Sequence, residues 1–340
     1  MRRYKTYING EWFEGTSGIV LRSVDPSNNK ELGEIVQNSK EDVEYAIESA
    51  SRSFYKTREW RDLDVQQRSD KLLKIADMIE SEIDEIAKTE SMDNGKPLRE
   101  AQADVDDAVH CFRYYAGLIR TPSGQTYNVN SNFGNMHSYT VKEPVGVCAL
   151  ITPWNFPFLM SVWKIAPALA AGNSIIFKPS SETVLSALKL FEILDKCDLP
   201  KGTANLVIGS GSTVGNLLAE SKKVDMITFT GSTSVGQGIM RAAVGNVKKI
   251  GLELGGKSPN IVFADTDIEK TVEWVMMGIF LNQGEVCCAG SRLIIEKSIK
   301  DKFLKKLVER TDKLTLGAPL DNPDMGPLIS KKHMQDVLGY

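Results

Sequence analysis

Gly146-Val147-Cys148-Ala149-Leu150-Ile151-Thr152 is an apolar, β-prone run; Pro153-Trp154-Asn155-Phe156-Pro157 breaks it, and Leu159 to Ala171 supplies an apolar segment of helical length. Ser174-Ile175-Ile176-Phe177 is again strand-like and is closed by Lys178-Pro179-Ser180. Strand, helix and strand in units this short imply a crossover connection, so the two strands lie parallel. The alternation continues with a helix from Thr183 to Lys196, a strand from Ala204 to Ile208, a further helix and a strand from Asp225 to Thr230. The fold class predicted is α/β, a parallel sheet with crossover helices, in which ligands bind past the carboxyl ends of the strands.

Val145 to Trp163 carries no charge and is about long enough to span a bilayer. Pro153, Asn155 and Pro157 in its middle would leave broken backbone hydrogen bonds in lipid, which favours a buried strand, a loop and a helix. The 340 residues, 42% hydrophobic and 25% charged, suit a soluble globular chain with two domains and a sizeable core. A formal net charge of -3 gives no electrostatic reason to expect nucleic acid or an acidic membrane as partner. Cys111, Cys148, Cys197, Cys287 and Cys288 form an odd set without framework spacing, which points to a reducing, cytoplasmic setting. His110, His137 and His333 lie far apart and read as surface or satisfied helix residues, so no metal is expected. Polar residues follow Met1-Arg2-Arg3-Tyr4-Lys5, and no signal peptide is expected.

Toward the N-terminus, Tyr7-Ile8-Asn9-Gly10-Glu11-Trp12-Phe13 sets strand formers around Asn-Gly and predicts a hairpin at a sheet edge. Ser39 and Asp42 read as a capping box before a helix with Val43, Ala46, Ile47, Ala50 and Phe54 on one face. One helix is expected to carry Leu72, Ile75, Ala76, Ile79, Ile83, Ile86 and Ala87 and to stop at Asn94-Gly95-Lys96-Pro97; another runs from about Leu98 to Gly117. Residues 126–142 predict a protruding hairpin around Asn132-Phe133-Gly134-Asn135, marginal alone and in need of a partner. Downstream, strands from Ile261 to Phe263 and Leu293 to Glu296 and a helix from Ile299 to Arg310 leave apolar faces uncovered.

Two stretches carry chemistry. In Gly278-Ile279-Phe280-Leu281-Asn282-Gln283-Gly284-Glu285-Val286-Cys287-Cys288-Ala289-Gly290-Ser291-Arg292, an apolar run ends in Asn-Gln-Gly and then presents two thiols beside small residues. A nucleophilic thiol needs such access and backbone N–H groups for a developing oxyanion, although a pair of small buried hydrophobes has the same composition. In Leu252-Glu253-Leu254-Gly255-Gly256-Lys257-Ser258-Pro259-Asn260, an acid stands in an apolar run; burial there would raise its pKa and make it a base near neutrality. Two glycine loops compete for a phosphate, Gly209-Ser210-Gly211-Ser212-Thr213-Val214-Gly215 and Gly231-Ser232-Thr233-Ser234-Val235-Gly236, each between a strand and a helix.

These stretches, with Pro153-Trp154-Asn155-Phe156-Pro157, Lys178-Pro179-Ser180 and Phe229-Thr230-Gly231-Ser232-Thr233 in order and spacing, resemble the aldehyde dehydrogenase superfamily over nearly the whole chain. The resemblance implies a Rossmann-type parallel sheet domain plus an incomplete α/β catalytic domain. Residues 1–125 and 144–255 would form the dinucleotide-binding domain, 126–143 an oligomerisation hairpin, and 256–340 a partial catalytic domain. The implied activity is oxidation of a small-molecule aldehyde to a carboxylic acid with NAD, NADP being possible, through a thiohemiacetal and a thioester on Cys287. Asn155 and the Cys287 N–H would hold the oxyanion, Glu253 would activate water, and Lys164 would stand at the proton exit. Cys287 follows Gly284 by three residues, as the family motif requires; Cys288 stays open as an alternative nucleophile. Glu285 stands where the family often has glutamine and could raise the thiol pKa.

By the same resemblance the loop Gly231, Ser232, Val235 and Gly236 meets the pyrophosphate, Gly211 lies near the adenine and Lys178 touches the adenine ribose, with Ile151, Thr152, Trp154 and Leu254 also lining the cofactor. Ser181 occupies the place of a glutamate that in many relatives repels a 2'-phosphate, so NADP is not argued against. Relatives extend past residue 340 with a Glu-Glu-x-Phe-Gly-Pro segment, so the resemblance implies a C-terminally truncated chain, a homo-oligomer if completed by that segment. Two alternatives stay open: an inactive fragment that keeps dinucleotide binding or an assembly role, and a relative that transfers its acyl group to coenzyme A, which Glu253 disfavours.

Overall fold

The computed structural model describes residues 2–340. The chain opens with β1 (Arg3–Tyr4), β2 (Thr6–Ile8), β3 (Glu11–Phe13), β4 (Val20–Val24) and β5 (Glu31–Val36), followed by α1 (Lys40–Arg52), α2 (Val65–Ser81), α3 (Ile83–Asn94) and α4 (Leu98–Leu118). A hairpin of β6 (Thr126–Ser131) and β7 (Gly134–Tyr139) precedes β8 (Val147–Ile151), α5 (Pro157–Ala170), β9 (Ser174–Lys178), α6 (Leu185–Lys196), β10 (Ala204–Leu206), α7 (Asn216–Glu220), β11 (Met226–Gly231), α8 (Thr233–Ala243) and β12 (Lys249–Leu254). The last portion holds β13 (Pro259–Val262), α9 (Ile268–Phe280), β14 (Arg292–Ile295), α10 (Lys300–Thr311) and α11 (Lys331–Leu338).

The largest sheet has the order β12-β11-β8-β9-β10-β2-β3, parallel from β12 to β10 and antiparallel across β2 and β3. From β8 the chain crosses to β9 and β10 on one side, and from β11 to β12 on the other. The order reverses between β8 and β11, which opens a crevice beyond their carboxyl ends, at Thr152 and Ser232. Along β8 the side chains alternate: Cys148 and Leu150 join the core under α2 to α6, while Val147, Ala149 and Ile151 join the core under α1, α7 and α8. Both faces are covered, so the strand reads as a continuous apolar run.

The first hairpin forms as its Asn-Gly demands, with Asn9 at φ 56° and Gly10 at φ 79°, and it lies at the sheet edge. The capping box of α1 is present, Ser39 Oγ accepting from Asp42 N at 3.2 Å and Asp42 Oδ2 from Ser39 N at 2.9 Å. The single helix expected over 72–87 is instead two. Glu82 leaves the helical region at φ -113°, ψ 16°, and its N–H turns to Ile79 O at 3.1 Å, so α2 ends in a tightened turn before α3 begins. The apolar stripe crosses the break unchanged, with Ile79 and Ile86 fully buried, and its spacing therefore could not reveal it. β6 and β7 pair only with each other and are exposed along nearly their whole length. Among the described residues no helix is long and apolar enough to cross a membrane.

Candidate active site

Three left-handed residues deliver the thiols. After α9 the chain turns through Asn282 (φ 48°), Gln283 (φ 59°) and Gly284 (φ 79°), and Cys287 and Cys288 then stand exposed. Non-glycine residues in that region are strained, and two in succession persist only where the surroundings hold them. Here Asn282 N donates to Glu100 Oε2 at 2.9 Å and Asn282 Nδ2 to Asn155 O at 2.8 Å. Gly256, after β12, lies against the carbonyl of Cys287, where a Cβ would come within 3.2 Å. Gly256 thus lets the chain just past β12 lie close against the thiol loop, while Gly255 faces open space.

Cys287 lines two adjoining cavities of about 570 and 580 Å³. The first also contains Glu253, Lys164, Thr228 and Thr230; the second contains Trp154, Asn155, Gly231, Ser232, Leu254, Cys288 and His333. Of the residues expected from sequence, Cys287, Glu253, Asn155, Lys164, Trp154, Gly231, Ser232 and Leu254 therefore share this region. Ile151, Thr152, Lys178, Ser181, Gly211, Val235 and Gly236 line neither cavity and lie along the strand ends and helix starts behind it. Ile151 pairs with Lys178 across β8 and β9, and Thr152 N donates to Lys178 O at 3.1 Å. A Cβ placed at Gly215, after Gly211 in the neighbouring turn, would come within van der Waals reach of the Lys178 stem.

The electrostatics correct two expectations. Glu253 is not buried: β12 is the terminal strand of its sheet, and the side chain is exposed at the cavity. Nor does Glu285 act on the thiol. Its carboxyl is turned inward, accepting from Ile329 N at 3.0 Å, and burial pushes it up to about 8. The Cys287 thiol is raised by desolvation and next by Cys288, while the backbone N–H groups of Cys288 and Cys287 oppose that shift by favouring thiolate. Lys164 donates to Thr228 Oγ1 at 2.8 Å; burial lowers it to about 8, against the attraction of Glu253. Burial alone lowers Lys178 to about 8. Asn155 Nδ2 donates to Glu285 O at 2.7 Å, and a carboxamide keeps a second N–H for another acceptor.

His333, which reads from the sequence as a surface or satisfied helix residue, does lie on a helix, in the first turn of α11. From there it also lines the thiol cavity, its ring 5.0 Å from that of Trp154 and its Nε2 3.6 Å from Glu285 Oε1. Its place in an amphipathic helix far along the chain gave no signal of this.

An aldehyde dehydrogenase family model matches residues 12–340. The chain belongs to the aldehyde dehydrogenase family. The chain is 45% identical over 335 residues to betaine aldehyde dehydrogenase of Bacillus subtilis (strain 168), covering 98% of this chain and 68% of that protein. It is 43% identical over 336 residues to aminoaldehyde dehydrogenase 1, peroxisomal, of Pisum sativum, covering 98% of this chain and 67% of that one. A crystal structure of Staphylococcus aureus betaine aldehyde dehydrogenase in complex with NAD+ superposes with a TM-score of 0.95 at 42% identity, covering 99% of this chain and 66% of that chain. The chain thus spans about two thirds of the length of these relatives.

Proposed function

We propose that this chain oxidises an aldehyde to a carboxylic acid with a nicotinamide dinucleotide as acceptor, Cys287 being the nucleophile. The observation that carries the reading is the meeting of Cys287 with Glu253 and Lys164 in one cavity and with Asn155 in the next, beside the sheet's switch point. The residues present fit the dinucleotide. Thr152 Oγ1 and Thr230 Oγ1, at the ends of β8 and β11, are buried without a protein partner. Ser232 caps α8 among free N–H groups, where a phosphate is favoured. Ile151, Thr152, Trp154, Lys178, Ser181, Gly211, Gly231, Ser232, Val235, Gly236 and Leu254 would hold it, and NAD(P)+ supplies the hydride acceptor when bound.

The sulfur of Cys287 bonds to the aldehyde carbon, and its proton passes to Glu253. The oxyanion is received by the Cys287 N–H and by the second amide proton of Asn155. Once the aldehyde hydrogen has left as hydride, the carbonyl re-forms as a thioester on Cys287. Glu253 gives up the thiol proton through Lys164, which burial holds near 8, before the second half of the reaction. As carboxylate again, it takes a proton from water, which attacks the thioester, releases the acid and leaves Cys287 as thiolate; that proton leaves by the same route.

An open groove of about 580 Å³ between α4 and α5 is lined by Asp107, Tyr114, Tyr115 and Trp163, and Trp163 also borders both thiol cavities. Aromatic faces with one carboxylate suit a cationic aldehyde, which agrees with the names of two of the relatives. The partition into sheets supports a dinucleotide-binding unit of residues 1–125 and 144–255, an arm of 126–143 and a catalytic portion of 256–340. A second copy of the chain would cover the arm, and free cysteines suit the cytoplasm.

The test is NADH formation by the purified chain with betaine aldehyde, an aminoaldehyde and an uncharged aldehyde, beside NAD+ and NADP+ titrations. Cofactor binding with no aldehyde-dependent turnover would select a dinucleotide-binding or assembly role instead. A turnover ratio of NADP over NAD far above one would overturn the preference for NAD.

A further inference from the structure

We propose that Asn94 is a positioning residue for Asn155, held in place by a buried polar platform in the segment from Glu90 to Asp104; the proposal rests on Asn155 serving the oxyanion at Cys287. Asn94 is the last residue of α3 and is fully buried. Its Nδ2 donates to Trp154 O at 2.9 Å and to Asn155 O at 3.4 Å, and its Oδ1 accepts from Lys96 N at 3.2 Å. In the loop it grips, the carbonyls of Trp154 and Asn155 accept from side-chain amides, those of Asn94 and Asn282.

The platform beneath is charged. Lys96, with no exposed surface, lies 2.5 Å from Asp104 Oδ2, 3.4 Å from Glu90 Oε1 and 4.3 Å from the ring centre of Phe156. The Glu90 oxygens accept in turn from Phe158 N, in the first turn of α5, at 3.3 and 3.2 Å. The loop bearing Asn155 is thus fixed at Trp154, Asn155, Phe156 and Phe158. The same segment grips the thiol loop, since Glu100 accepts from Asn282 N and Asn282 Nδ2 donates to Asn155 O. Asn94, Lys96 and Glu100 border neither thiol cavity. Their contribution is therefore the spacing between the Asn155 amide and the sulfur, a distance on which an oxyanion site depends to a few tenths of an ångström.

The test needs no cofactor. Thiolate attack on p-nitrophenyl acetate forms the carbon–sulfur bond through a tetrahedral oxyanion and expels p-nitrophenolate, leaving an acetyl group on Cys287. Alkylation of the same sulfur by iodoacetamide, read by peptide mass, forms no oxyanion. Asn155→Ala should slow acetylation about a hundredfold, and Asn94→Ala should slow it roughly ten- to a hundredfold, with alkylation unchanged. In the Asn155→Ala background Asn94→Ala should add nothing. An equal further loss there, equal slowing of alkylation, or acetylation unaffected by Asn94→Ala overturns the positioning role alone. Parent chain that is acetylated no faster than Cys287→Ala overturns the active-site reading and the positioning role with it. Should Asn94→Ala fail to fold, Glu100→Ala puts the same question from the partly exposed end, and Glu100→Gln, which keeps an acceptor for Asn282 N–H, should restore the parent rate; failure of Glu100→Ala to slow acetylation overturns the proposal.

Discussion

Cys287 faces opposed influences: burial and the neighbouring thiol hold its proton on, while two backbone N–H groups favour the thiolate. The proposed nucleophilic role therefore calls for a base in the same cavity, where Glu253 is the carboxylate. Cys287→Ala should abolish acid formation, and Glu253→Gln should give one burst of NADH per site before stalling at the thioester, both followed by rapid-mixing absorbance. Glu285 makes a separate prediction. Its carboxyl titrates near pH 8 in the fold against 4.5 as its ordinary value, so between those limits the folded chain holds the extra proton and stability falls as pH rises. Glu285→Gln keeps an acceptor for Ile329 N–H and cannot ionise. It should flatten that fall and exceed the parent's stability by on the order of 2–4 kcal/mol above about pH 8, measured by urea unfolding across the window. That Cys287 and Glu253 lie near one another was legible through the family resemblance that their two glycine-bearing stretches carry together. His333 and Lys96 were not, since a lone histidine or lysine on a helix or turn looks the same in sequence whether it faces water or a cavity.

At the scale of elements, the proposed phosphate site and the stability of a helix meet at Ser232. Its Oγ accepts from Val235 N at 3.4 Å and caps α8 at the mouth of the switch-point crevice. Ser232→Ala should cost about 1 kcal/mol of stability by chemical denaturation and weaken NAD+ binding in a fluorescence titration. Strand–helix alternation, the Asn-Gly hairpin and the Ser39–Asp42 box were readable because each rests on neighbours in sequence. The break at Glu82 and the burial state of Glu253 were not, because the first leaves the apolar period intact and the second depends on β12 being the sheet's last strand.

For the molecule as a whole, the β6–β7 arm presents Tyr127, Val129, Phe133, Met136 and Tyr139 to solvent, with Phe133 96% exposed at its tip. Apolar surface on a lone two-stranded ribbon favours association with another copy. Val129 faces Met136 in register. Replacing them together, Val129→Lys with Met136→Glu, keeps the cross-strand pair compatible while charging the surface. Sedimentation velocity should then show a shift to smaller species with unchanged circular dichroism.

The pairing of Tyr7 with Leu206, reinforced by Asn9 N on Asn205 Oδ1 and by Tyr7 and Trp12 on Asp195, ties the first residues to a site far along the chain. On a ribosome, the opening hairpin emerges without its docking strand and must wait while that strand is made, on the order of tens of seconds at ordinary elongation rates. Throughout that interval its ladder is open to other strands. The yield of native protein should therefore respond to translation speed and to holdase chaperones that shield a waiting edge.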